Sequence, residues 1–126
     1  MTRKNDMKRT ELRVDNIVAY KGLACKVILV TIDNQIVLEC GKEAILITCG
    51  DPHLGSVGIT KEILLKNGFK EGPGFFTKGC FECEYHGGRW WYCCNCAEYD
   101  LIELNGVHDL QNAYQLVTKE ELTLQL

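Results

Sequence analysis

The segment Gly79-Cys80-Phe81-Glu82-Cys83-Glu84-Tyr85-His86-Gly87-Gly88-Arg89-Trp90-Trp91-Tyr92-Cys93-Cys94-Asn95-Cys96 holds five of the chain's eight cysteines. Its folding decides between a metal-binding protein and a small domain with a thiol-rich core. Gly87-Gly88 stands between aromatic, alternating arms, and glycine accepts the positive φ angles of a type I′ turn, so the dipeptide predicts a two-residue hairpin. In that register His86 opposes Arg89, Tyr85 opposes Trp90, Glu84 opposes Trp91, Cys83 opposes Tyr92, Glu82 opposes Cys93 and Phe81 opposes Cys94. Because side chains alternate along a strand, one face collects Phe81, Cys83, Tyr85, Trp90, Tyr92, Cys94 and Cys96. The other collects Cys80, Glu82, Glu84, His86, Arg89, Trp91, Cys93 and Asn95. One apolar and one polar face is the partition of a half-buried antiparallel hairpin, with cysteines serving as small core hydrophobes.

The competing reading is a zinc tetrad of Cys80 and Cys83 with two of Cys93, Cys94 and Cys96, the set Cys80, Cys83, Cys93 and Cys96 being its leading form. Thiolates must converge tetrahedrally on zinc at about 2.3 Å, and a pair at i and i+3 does so only on a tight knuckle. A regular strand aims Cys80 and Cys83 at opposite faces, no glycine eases a knuckle there, and Cys93-Cys94-Asn95-Cys96 lacks the usual two-residue spacing. Core packing is therefore favoured and zinc is kept as the alternative cofactor. A Cys80–Cys93 disulfide is a third arrangement, disfavoured in a reducing compartment.

Outward from the hairpin, residues 11–49 read as a β-meander or small half-open barrel of SH3-like type. Leu12, Val14 and Ile17-Val18 lead into Lys21-Gly22. A long apolar run from Leu23 to Ile32 closes at Asp33-Asn34, and Ile36–Leu38 and Ala44–Ile47 flank a turn at Gly41-Lys42. Gly50–Gly58 has loop composition and is expected to be a mobile connection. A helix follows, with Thr60 as its cap, Ile59 and Leu64 as a hydrophobic staple, and Gly68-Phe69 as its stop. Gly72, Pro73 and Gly74 signal a turn into the hairpin. Tyr99–Leu104 alternates as a strand, Asn105-Gly106 turns into a helix over Val107–Val117, and Leu122, Leu124 and Leu126 alternate as a final strand. The expected fold class is α+β, a single domain over residues 1–126 in which 1–10 are flexible and 59–126 run helix, hairpin, strand, helix and strand.

The composition, 46% hydrophobic and 25% charged with a net charge of −3, describes a soluble globular protein. It argues against a non-specific nucleic-acid binder, which needs a concentrated positive surface. The basic N-terminus is not followed by the apolar stretch of a signal peptide, and no run approaches the roughly twenty apolar residues of a membrane span. The cytoplasm is the expected location. His53, His86 and His108 sit in no catalytic motif, and no serine elbow, phosphate-binding glycine loop or carboxylate pair stands out, so no catalytic residues are assigned and the chain is expected not to be an enzyme. Two candidate binding surfaces emerge. One is the polar hairpin face of Glu82, Glu84, His86, Arg89 and Trp91, where an exposed tryptophan beside arginine could stack a ring. Packing of Trp91 against the C-terminal helix or the barrel is the favoured alternative. The other is the His108, Gln111 and Asn112 face of the second helix, whose side chains also suit the structural task of satisfying backbone carbonyls.

Three segments carry a resemblance: Glu11-Leu12-Arg13-Val14-Asp15-Asn16 with Lys26-Val27; Ile59-Thr60-Lys61-Glu62-Ile63-Leu64-Leu65-Lys66-Asn67-Gly68-Phe69; and Val107-His108-Asp109-Leu110-Gln111-Asn112-Ala113-Tyr114 followed by Thr118-Lys119-Glu120-Glu121-Leu122. In this order they resemble small proteins of gut-bacterial, Bacteroides-type phages and mobile elements that have no assigned chemistry. The family pattern has a glycine where Lys119 stands and does not include the cysteine cluster. The resemblance implies a non-enzymatic accessory protein that binds a host protein or a small ligand, with a counter-defence role as its extension. A zinc-stabilised interaction or nucleic-acid module and a nucleotide-sequestering protein are the competing functions. The partner and the oligomeric state are not legible.

Overall fold

Two-residue turns build most of the architecture. The computed structural model describes residues 12–95 and 100–126, with the side chains of residues 93–95 and 100 excepted. The flexible segment expected at residues 1–10, and Cys96 and Tyr99, lie outside the described residues. The chain forms two compact units, one ending at Val57 and one beginning at Gly58. The fold class is α+β, as expected, with two antiparallel five-stranded sheets and two helices among the described residues.

The first unit carries β1 (Ile17–Tyr20), β2 (Leu23–Val30), β3 (Gln35–Cys40), β4 (Glu43–Thr48) and β5 (Leu54–Gly55) in the order β4-β3-β2-β1-β5. This is a meander whose last strand returns to the free edge of β1, the half-open barrel read from the sequence. Lys21-Gly22 forms a tight turn with both φ angles positive, 51° and 80°, as the twist of a two-residue hairpin requires. Val18, Cys25, Val27, Ile36, Leu38, Ile47, Cys49 and Leu54 fill the core, with Leu12 at its margin. The apolar run of β2 is not all buried. A register shift between Val27 and Leu29 turns Ile28 and Leu29 to solvent, as bulges do. The connection expected to be mobile over Gly50–Gly58 is partly tied down. Leu54 is buried and Leu54-Gly55 pairs with β1, while the Asp51 carboxylate accepts from the Tyr20 hydroxyl at 3.3 Å and from the His53 N–H at 2.8 Å.

The second unit begins with α1 (Lys61–Lys66), which matches its local signals. The Thr60 hydroxyl accepts from the Ile63 N–H at 3.1 Å, Ile59 and Leu64 are both buried, and Gly68 at φ 90° lets the Phe69 N–H reach the Leu64 carbonyl at 3.0 Å. Two strands absent from the sequence reading follow, β6 (Lys70–Gly72) and β7 (Phe75–Lys78), joined by Pro73-Gly74. Then come β8 (Phe81–His86), β9 (Arg89–Asn95) and β10 (Asp100–Leu104), in the sheet order β10-β9-β8-β7-β6, and α2 (Val107–Thr118). The core is aromatic. Phe81 stacks on Tyr92 at 5.8 Å and meets Phe69 at 6.3 Å and Tyr114 of α2 at 5.5 Å.

The expected final strand over 122–126 is corrected. Leu122 and Leu124 are buried in the expected alternation, but the segment joins no sheet. Side chains dock it instead: the Gln111 amide donates to the Leu122 carbonyl at 3.2 Å, the Asn67 amide donates to the Gln125 carbonyl at 2.8 Å, and the Gln125 N–H donates back to Asn67 Oδ1 at 2.7 Å. A side-chain amide has the same donor and acceptor pair as a peptide group, so Asn67 stands in for one rung of a β-ladder.

Candidate interaction face on the cysteine hairpin

The hairpin forms in the expected register. Gly87 and Gly88 adopt φ 65° and 79°, and Cys83 pairs with Tyr92, Glu84 with Trp91, Tyr85 with Trp90 and His86 with Arg89. The pairings expected for Cys93 and Cys94 involve side chains outside the described set. On the apolar face Phe81, Cys83 and Tyr92 are buried, Trp90 is half-buried, and Tyr85 near the turn is 53% exposed. Burial therefore fades toward Gly87-Gly88, where the aromatic rings cover one another: Tyr85 and Trp90 lie 5.1 Å apart and Phe76 and Trp90 5.5 Å.

The opposite face gathers the five residues singled out there. Glu82, His86 and Arg89 are exposed, and Glu84 and Trp91 are half-buried. Trp91 does not pack on α2, which covers the Phe81 side of the sheet through Tyr114. Its shelter is His86, whose ring stacks on the indole at 5.5 Å with 20° between planes, while the indole N–H donates to the His86 carbonyl at 3.2 Å. The indole is thus held flat against the strand. Because β10 pairs Glu103 with Trp91, the face gains a sixth member: Arg89 Nη1 lies 3.1 Å from Glu103 Oε1. The alternation of β10 was the signal that could have placed Glu103 there.

The helix residues do not join this face. His108 and Gln111 are each 2% exposed, which removes them from any accessible surface. Gln111 performs the structural task by holding the Leu122 carbonyl. Asn112 is half-buried and lines an open cleft of about 210 Å³ with Tyr92, Ile102, Leu104, Asp109 and Leu116.

Of the four proposed zinc ligands, Cys80 is exposed in the β7–β8 turn and Cys83 is buried. Burial, and after it the charge of Glu82, pushes the Cys83 thiol up to about 12. Cys96 and the side chain of Cys93 lie outside the described set, and among the described residues no three His, Cys, Asp or Glu side chains are grouped to hold a metal ion. Among these residues, too, no helix is long and apolar enough to cross a membrane.

The residues that carry the resemblance have structural tasks. Asn16 is buried, its Oδ1 accepts from the Arg13 N–H at 2.8 Å and its carbonyl accepts from the Val27 N–H at 2.8 Å. Asp15 lies 3.4 Å from Lys26. Lys119 caps α2 in the left-handed region at φ 65°, where glycine is the unstrained choice. No family model, no curated protein and no solved structure matches the chain.

Proposed function

We propose that this chain is a non-enzymatic binding module, an accessory protein of a phage or mobile element, that engages a host protein through the outer face of β8, β9 and β10. The observation that carries the reading is Trp91, clamped by His86 on an otherwise charged sheet face with Arg89 and Glu103 beside it. Tryptophan and arginine dominate binding energy at protein interfaces, and a preordered ring loses little entropy on docking. Glu82 and Glu84 on the same face favour a partner that brings lysine or arginine opposite them. A protein is a better fit than a small ligand. The face is a strand surface, and among the described residues the cleft beside α2, at about 210 Å³, is smaller than the roughly 300–1,000 Å³ of typical ligand pockets.

The test places a photo-crosslinking residue at exposed position 82 on the same face and, as a control, at exposed position 46, identifies the protein captured from host lysate, and titrates that purified protein by calorimetry. The expected result is capture from position 82 alone and at least tenfold weaker binding by both Trp91→Ala and Arg89→Glu. Undiminished binding by both variants sinks the reading. A melting shift with nucleotides, or about one zinc per chain by elemental analysis, turns it toward the nucleotide-sequestering or zinc-stabilised alternative.

A further inference from the structure

The first unit contains a pair of thiols that no sequence motif announces. The register that opposes Lys26 to Glu39 brings Cys25 of β2 opposite Cys40 of β3 one step further along. Directly opposed residues of an antiparallel pair have Cα atoms about 4.5 or 5.5 Å apart, both within the roughly 4.4–6.8 Å that a disulfide spans. Their Cβ atoms, about 4.5–5.5 Å apart in such a pair, need to close by only about 1 Å. Both residues belong to the barrel core, Cys25 buried at 3% exposure and Cys40 packed half-buried at its rim. Cys49, the third cysteine of this unit, is no competitor. Its N–H bonds the Asn34 carbonyl at the far end of β3, about 20 Å from Cys40 at the rise of a strand.

We propose that Cys25 and Cys40 are a redox-active cross-strand dithiol that exchanges with low-molecular-weight disulfides of the glutathione class. Cys40, the accessible partner, gives its proton to solvent, and its thiolate attacks one sulfur of the disulfide. That S–S bond breaks, and the first glutathione leaves as a thiolate and is protonated. Cys25 then loses its proton and attacks the Cys40 sulfur, the mixed disulfide breaks, and the second glutathione leaves. The two cysteines lose two electrons together, and one glutathione disulfide becomes two thiols. The order follows from the surroundings. Burial, and after it the neighbouring Cys40, pushes the Cys25 thiol up to about 12, so Cys25 is the poorer first nucleophile and the natural resolving group. Thiol–disulfide exchange runs in either direction, so excess small-molecule thiol reduces the bond again. The disulfide would staple β2 to β3 at the end of the barrel where Tyr20 meets Asp51.

Trypsin separates the two thiols, since Gly22–Lys26 contains only Cys25 and Val27–Lys42 only Cys40. The full chain is treated with oxidised glutathione at pH 8, quenched with acid, alkylated, digested and analysed by mass spectrometry. The expected product is Gly22–Lys26 linked to Val27–Lys42, about 2 Da below the sum of the reduced peptides, restored by dithiothreitol and accompanied by a higher melting temperature. Cys25→Ser is expected to trap glutathione on Cys40. Recovery of both peptides fully alkylated from the wild-type chain while other cysteines oxidise overturns the proposal. So does a wild-type chain that stops at the mixed disulfide on Cys40, and both outcomes are read without the variant.

Discussion

Two pairs of cysteines in this chain behave oppositely to their spacing. Cys80 and Cys83, three residues apart in a metal-like Cys-x-x-Cys, differ in surroundings: one is exposed in a turn and the other is buried on the face it shares with Phe81 and its cross-strand partner Tyr92. Cys25 and Cys40, fifteen positions apart and in no motif, stand opposite each other because β2 and β3 pair through Lys26 and Glu39. In a sheet, proximity is set by register across strands and facing by parity along them, so an odd offset separates two thiols that a loop of the same length could bring together.

The largest expected effect tests whether Cys83 faces a true core. Phe81→Ala removes the ring that stacks on Tyr92 and meets Tyr114 at a tilt and should cost about 3–5 kcal/mol, a large share of the roughly 5–15 kcal/mol of a folded domain. A urea midpoint that barely moves would break the comparison at its base. Within the pair, Cys83→Ser places a hydroxyl in that core and should cost about 1–3 kcal/mol, whereas Cys80→Ser should stay within about 0.5 kcal/mol. Equal costs for the two would mean that they share one environment.

Alkaline pH sharpens the same contrast. With its folded value near 12 above the ordinary thiol value of about 8.5, Cys83 favours folding while neutral. That contribution is complete below about pH 8.5 and lost as pH rises toward 12. The slope is up to about 1.4 kcal/mol per pH unit, read as a steeper fall in urea midpoint from pH 8.5 to 10.5 for wild type than for Cys83→Ala. The smallest effect leaves all thiols in place. Lys119→Gly relieves the left-handed cap and should add about 1 kcal/mol. Cys83 labelling by a thiol reagent through global opening should then slow about fivefold, while Cys80 labelling is unchanged.

Local signals were legible wherever a few neighbouring residues settle the conformation. Thr60, Leu64, Gly68 and Phe69 bound α1 as read, and Gly87-Gly88 set the hairpin register from Cys83–Tyr92 to His86–Arg89. β6 and β7 escaped notice because each is only three or four residues long and glycines crowd their ends, although Pro73-Gly74 between Lys70–Gly72 and Phe75–Lys78 had the makings of a second hairpin signal. The terminal segment alternates like a strand, yet no strand edge receives it. Asn67 and Gln111 do, and side-chain docking leaves no trace in periodicity.

By itself the sequence determined the turns, the capped helix, the α+β class and the two-faced hairpin, because φ preferences, capping and alternation act over a few residues. The tertiary structure decided what each face meets. It buried His108 and Gln111 of α2, laid His86 over Trp91 and brought Glu103 to Arg89. It also set Cys25 against Cys40. Those outcomes depend on which strand or helix lies alongside, a choice made by the burial of whole surfaces rather than by any residue's neighbours in the chain.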